Sequence, residues 1–231
     1  MIPWLQENEA FPPLAMALQD PSGLLAATEE LSPKRLLAAY CHGIFPWYSA
    51  GQPVLWWSPD PRMVLPTEEF KVSRSLGKTV RSGKFEIRVD TAFDDVMRGC
   101  AEPRPAQDGT WITPAVRASY GVLHQRGFAH SVESWADGVL VGGLYGVSIG
   151  RMFFGESMFA RQTDASKVAL VHLVRQLRAW NFPLIDCQQE TVHLARFGAR
   201  PIRRTEFAER LLHLVNSPPP VPPPDRWTFD T

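Results

Sequence analysis

The stretch from Ala129 to Cys187 limits the folds open to this chain more than any other part of it. Ala129–Trp135 reads as a strand and runs into Asp137-Gly138, a pair suited to the positive backbone angles of a two-residue hairpin. Val139–Val147 continues apolar with several glycines, and Arg151–Met158 follows after a turn at Gly150. From Asp164 to Trp180, the residues Leu170, Leu173, Leu177 and Trp180 recur at helical spacing, and Leu184–Cys187 is a short apolar run. Three consecutive strands, a helix and a further strand make an antiparallel meander joined to a crossover, so an α+β fold is expected.

Elsewhere the punctuation is mostly helical. Ser32-Pro33, followed by Leu36, Leu37 and Tyr40 and closed by Gly43, reads as a capped helix with proline in its first turn. Thr113-Pro114 repeats the device, with Val116, Tyr120 and Leu123 on one face and Gly127 as the stop. Phe85–Val89 alternates as a strand, while Thr191–Phe197 and the segment from Thr205 through Val215 read as helices. A boundary is expected somewhere between 65 and 90; its early edge divides the chain into a small N-terminal α/β domain (1–65), a larger domain (66–217) and a Pro-rich tail (218–231). Residues 218–224 read as extended polyproline rather than a packed element.

With 231 residues, 45% of them hydrophobic, the chain is long enough to bury a substantial core. No apolar run approaches the roughly 20 residues that span a bilayer, and the N-terminus lacks the basic flank and apolar stretch of a signal peptide, so a cytoplasmic protein is expected. Cys41, Cys100 and Cys187 are odd in number and far apart, which argues against disulfides, and no spacing suggests a metal site. Formal charge balances at 24 basic against 24 acidic residues, yet the distribution is uneven. Lys71, Arg74, Lys78, Arg81 and Lys84 have no acidic residue among them and share one face if the segment is helical, and Arg196, Arg200, Arg203 and Arg204 form a second such group. Either group reads as an ordinary solvated face or as a surface for neutralising phosphates.

Two further features carry chemistry. The turn-rich segments Gly43–Tyr48 and Leu55–Arg62 are crowded with aromatics. Most of these rings suit a small core, but Trp47, and Trp111 beside Gly109, are candidates for stacking on a nucleobase. Glu156 within Phe153–Phe159, and Asp186 within Leu184–Gln188, place carboxylates inside apolar strands. Either alone is readable as a structural hydrogen-bonder; together with Gln188 they suggest a polar site in an apolar pocket. No Walker-type nucleotide-binding loop is present, and the turn Arg161–Ser166 lacks the glycines that a coenzyme A pyrophosphate turn uses.

Taken together, Gly43–Trp47, Leu55–Arg62, Gly109–Thr113, His130–Glu133, Leu140–Gly146, Phe153–Phe159, Ala165–Lys167 and Leu184–Gln188 resemble the bacterial leucyl/phenylalanyl-tRNA–protein transferase family. Trp-Trp-Ser-Pro-Asp-Pro-Arg together with Gly-Glu-Ser-Met-Phe is the most specific part. The resemblance covers roughly residues 11 to 204 and leaves out the Pro-rich tail. It implies an acetyltransferase-like (GNAT-type) C-terminal domain. It also implies transfer of Leu, Phe or Met from aminoacyl-tRNA to the N-terminus of proteins beginning with Arg or Lys, which makes a degradation signal. No cofactor and no metal are implied, and a monomer is expected.

By the same resemblance Asp186 and Gln188 are catalytic, with Asp186 polarising Gln188 as a base relay or only helping to position the amine. Trp47 and Trp111 hold the terminal adenosine of the tRNA, and Leu144, Phe153, Glu156, Met158, Leu173, Leu177 and Ile185 form the amino-acid pocket. Arg74, Lys78, Arg81 and Lys84 are the expected phosphate contacts. Leu144 replaces an expected Met, and Leu173 and Leu177 replace expected aromatics, departures that bear on the Leu-versus-Phe preference rather than on the reaction. The rival readings are a non-catalytic tRNA- or RNA-binding module, which leaves Glu156, Asp186 and Gln188 unexplained, and another tRNA-dependent aminoacyl ligase on the same fold.

Overall fold

The computed structural model describes residues 1–103, 110–218 and 227–229. In chain order the elements are β1 (Leu24–Thr28), α1 (Pro33–Cys41), β2 (Phe45–Pro46), β3 (Val54–Trp57), β4 (Arg62–Pro66), α2 (Arg74–Arg81), β5 (Glu86–Val89), α3 (Phe93–Ala101) and α4 (Pro114–Gln125). Then come β6 (Ala129–Ala136), β7 (Val139–Ile149), β8 (Met152–Ala160), α5 (Ala165–Ala179), β9 (Leu184–Gln188), α6 (Val192–Ala195), β10 (Arg200–Ile202) and α7 (Arg204–Val215). The expected meander is β6-β7-β8, and α5 carries the chain across to β9, which pairs parallel with β8. Caps anticipated from Ser32 and Thr113 form: their side chains accept from the backbone N–H of Arg35 and Val116.

Strands β1, β3 and β2 make a small antiparallel sheet, and a seven-stranded sheet runs β10-β4-β9-β8-β7-β6-β5. The sheets part between Trp57 and Arg62, so β4 belongs to the large sheet. The N-terminal segment does not have a core to itself. Leu36, Tyr40 and Trp56 fall in one cluster with Val116, Tyr120, Tyr145 and Phe154, covering one face of the large sheet. Helix α5 covers the other face and buries Val168, Leu170, Val171, Leu173, Val174 and Leu177, each worth about 1.5–3 kcal/mol relative to exposure. Close approach there depends on Gly142, where an added Cβ would lie 2.5 Å from that of Ala165.

Residues 219–224 of the polyproline run lie outside the described residues, but Trp227 beyond them is packed. Trp227 is only 4% exposed and sits in the α5-side core, past the segment 218–224 read as unpacked.

One buried ion pair ties these parts together. Arg62 on β4 donates from Nε to Asp186 Oδ1 (2.8 Å) and from Nη2 to Asp186 Oδ2 (2.7 Å), and neither side chain is exposed to solvent. Its third nitrogen donates to the Gly43 carbonyl at 3.0 Å, and its guanidinium lies between the rings of Phe45 and Phe207 at 4.8 and 4.6 Å. Arg62→Met should lower the unfolding free energy by about 3–5 kcal/mol, because it leaves a buried carboxylate uncompensated. A urea titration should return most of that loss in Arg62→Met/Asp186→Leu; a double variant no more stable than the single one would assign the loss to packing instead.

Candidate active site

Strands β8 and β9 pair only over Met152–Phe154 and Leu184–Asp186. Past that point β8 continues with β7 to Ala160, while β9 stops at Gln188. Their divergence opens a cavity of about 750 Å³ that draws residues from both sheet faces. On the α5 side it is lined by Leu144, Phe153, Met158, Leu170, Leu173 and Ile185; on the other by Phe45, Trp47, Trp111, Tyr145, Phe159 and Glu156. Gln188 also lines it.

Most of the residues singled out from the sequence meet here, with exceptions. Leu177 lies one turn beyond Leu173 on α5, fully buried in the core and outside the cavity lining. Asp186 is likewise outside the lining, enclosed beneath it with Arg62. Arg74, Lys78 and Arg81 on α2, and Lys84 just after it, are solvent-exposed and away from the cavity wall. In the second basic group Arg200 pairs with Glu69 at 3.3 Å, and Arg204 donates to the Ser58 carbonyl at 2.7 Å, so part of that group is committed within the fold.

Glu156 points where it does because of a β-bulge. Tyr145 pairs with Ser157 and Gly146 with Gly155, leaving Glu156 as the extra residue between them. Its carboxylate accepts from Tyr40 Oη (2.7 Å to Oε1) on α1 and Tyr120 Oη (3.1 Å to Oε2) on α4, and the two tyrosine oxygens lie against each other. Burial pushes the Glu156 pKa up to about 7; the two tyrosine bonds and one from Gln188 oppose that rise, while the charge of Asp186 adds to it. Both tyrosines are raised well above their ordinary value, first by burial and then by Glu156, and so remain donors. Their part was not readable from the sequence, where each is one more apolar-face position on a helix.

Gln188 donates from Nε2 to Glu156 Oε1 at 2.7 Å, which leaves its Oε1 as the acceptor end of the amide. Its backbone is left-handed (φ 63°), a conformation costing a non-glycine residue on the order of 1–2 kcal/mol. Two bonds hold it there: Gln188 N–H donates to Asp186 Oδ1 at 2.9 Å, and Gln189 N–H to the Cys187 carbonyl at 2.7 Å. Asp186 therefore reaches Gln188 through the main chain, while the side-chain amide is held by Glu156. With both carboxylate oxygens on Arg62, Asp186 is placed to position Gln188. Cys187 lines the cavity, but burial and the neighbouring Asp186 push its thiol far up, which keeps it protonated and unsuited to nucleophilic attack.

Trp47 and Trp111 share the cavity wall opposite α5. Trp47 is 44% exposed, packs edge-on against Trp57 at 5.6 Å, and is fixed through its carbonyl, which accepts from Trp57 Nε1. Trp111 is half-buried just ahead of the Thr113 cap; its neighbour Gly109 lies outside the described residues. Among the described residues no cluster of His, Cys, Asp or Glu is arranged to hold a metal ion, and no helix is long and apolar enough to cross a membrane.

Comparison with known proteins adds a separate line of evidence. A family model described as leucyl/phenylalanyl-tRNA protein transferase matches residues 64–212, and one for the N-terminal domain of the same family matches residues 29–60. A leucyl/phenylalanyl-tRNA–protein transferase of Nitrosospira multiformis is 58% identical over 230 residues, covering 100% of this chain and 98% of its own. One from Thiobacillus denitrificans is 61% identical over 221 residues, covering 96% of each. Among solved structures, a GCN5-related N-acetyltransferase from Kribbella flavida covers 77% of this chain and 65% of its own at 14% identity, with a TM-score of 0.38, too slight a likeness to carry any argument. On the two family matches and the full-length relatives, this chain belongs to the leucyl/phenylalanyl-tRNA–protein transferase family and is an aminoacyltransferase.

Proposed function

We propose that this protein transfers leucine or phenylalanine, and also methionine, from aminoacyl-tRNA to the α-amino group of proteins beginning with Arg or Lys, marking them for degradation. The observation that carries the reading is the Glu156–Gln188 contact in the lining of a largely apolar cavity that Trp47 and Trp111 also line. An aminoacyl ester is already activated. The acceptor amine attacks its carbonyl carbon, the C–N bond forms, and the ester C–O bond breaks to release the tRNA hydroxyl, which takes up a proton. Such a step needs neither ATP nor a metal, and much of its rate can come from holding the two reactants in place.

Gln188 Oε1 accepts an N–H of the attacking amine, and Glu156 takes the proton that the amine loses. Asp186, fixed by Arg62, positions Gln188. Trp47 and Trp111 hold the terminal adenosine, at roughly 1–3 kcal/mol per stacked base. Leu144, Phe153, Met158, Leu173 and Ile185 receive the amino-acid side chain and leave a polar one without partners. Arg74, Lys78, Arg81 and Lys84 offer exposed cations for phosphates along the acceptor stem. The protein works as a monomer in the cytoplasm, where charged tRNA is available.

The direct test incubates the protein with labelled Leu-tRNA or Phe-tRNA and a peptide beginning with Arg, with an otherwise identical Ala peptide as control. Label is expected on the Arg peptide alone. Gln188→Ala should reduce it by about 10²-fold or more while tRNA binding persists; binding without transfer in the parent protein would favour a binding module. Asp186→Ala is the poorer probe, since it strips Arg62 of its buried partner.

The pH profile tests Glu156 itself. Because Glu156 accepts a proton only when ionised, kcat/KM should fall as pH drops below about 7, in addition to the limb set by the acceptor amine near 8. Glu156→Gln should remove the lower limb and keep the amine limb; persistence of both would exclude Glu156 from proton transfer.

A further inference from the structure

Trp227 is the one deeply buried residue contributed by the chain beyond its prolines among the described residues, and it is not placed as ordinary core filling. Its ring stacks on His130 at 3.9 Å with an interplanar angle of 10°. His130 is a rigid base for that stack, since one ring nitrogen bonds Asp90 at 2.8 Å and the other the Gly127 carbonyl at 3.1 Å. Trp180, at the end of α5, meets Trp227 edge-on at 5.0 Å and is itself edge-on to Phe229 at 5.9 Å. Trp227 therefore spans from β6 to the C-terminal end of α5.

Between those two supports lies Phe153, whose ring is 5.8 Å from that of Trp227 and lines the cavity. On its other side the Phe153 ring rests on β7. An added Cβ at Gly146 would lie 2.5 Å from Cζ of that ring, so it has no room to move closer to the sheet there. Apart from the cavity that it lines, the ring borders Trp227.

From this arrangement we infer that Trp227 is a positioning residue for the amino-acid pocket: it backs Phe153 and thereby sets the pocket's depth and its discrimination between leucine and phenylalanine. The inference rests on the proposed aminoacyl transfer and deepens it, since it gives the Pro-rich tail a role at the site from a distance. Trp227 touches neither substrate nor reacting atoms. With its ring gone, Phe153 can tip away from the cavity, and the larger side chain gains most from the added depth.

The test compares kcat and KM for Leu-tRNA and Phe-tRNA in the full-length chain and in Trp227→Ala, Trp227→Leu and Trp227→Phe, with melting temperatures recorded alongside. Trp227→Ala should raise the Phe-over-Leu ratio of kcat/KM by about fivefold or more, through KM rather than kcat. Trp227→Leu should give a smaller shift in the same direction, and Trp227→Phe should restore the parent ratio. Should Trp227→Ala not fold, the ratio in Trp227→Leu decides. A lower melting temperature with an unchanged ratio would leave Trp227 a core residue only and overturn the inference. Absence of transfer by the parent protein would instead refute the underlying functional reading.

Discussion

Arg62 and Asp186 are both fully buried, and each satisfies the other through two parallel hydrogen bonds. Taking a guanidinium and a carboxylate out of water offsets most of what their attraction returns, so the pair is a poor source of net stability. Its force lies in what it forbids. Any packing that separates β4 from β9 strands a bare charge in the core, and any that lifts the Gly43 carbonyl or the rings of Phe45 and Phe207 exposes the guanidinium's flanks. Through Asp186 the same pair fixes the left-handed turn at Gln188, so the joint between the N-terminal segment and the large sheet is also the base on which the site's amide stands.

From that base the site follows by geometry. Parallel pairing of β8 with β9 lasts three residues and then ends, β9 staying paired with β4 as far as Gln188 while β8 stays in the meander. A sheet that stayed closed would present two separate faces. Here the gap joins an apolar lobe under α5 to a polar one under α1 and α4, so a single bound molecule can be gripped by its hydrocarbon from one side and by hydrogen bonds from the other. The tyrosines that steady Glu156 come from α1 and α4, which the shared core brings together.

What could be read from the sequence was what is encoded locally. Asp137-Gly138 announces its hairpin, Ser32 and Thr113 their helices, and the leucine spacing α5. Helix α3 escaped notice because its cap is not local: Ala92 offers no side chain, and Glu133 from β6 accepts the N–H groups of Thr91 and Ala92 instead. Strand β4 is buried along its whole length, but its leading arginine and bounding prolines mask the pattern. In the site, carboxylates in apolar surroundings were conspicuous, whereas Tyr40 and Tyr120 looked like any core-facing helix residue. Leu177 matched the helical stripe and its resemblance-based role equally well, and only the position of the cavity separates the two. Trp227 followed a proline run and had no periodicity to place it.

The bulge at Glu156 has one more consequence. Tyr145 already faces Ser157 and Gly146 already faces Gly155, so excising Glu156 would leave every neighbouring pair of the β7–β8 ladder in its present register. The sheet and the carboxylate are thus separable modules: the ladder is complete without the inserted residue, and the residue contributes nothing to the ladder. What holds Glu156 in place is therefore not strand pairing but its side-chain partners Tyr40, Tyr120 and Gln188, contributed by three separate elements.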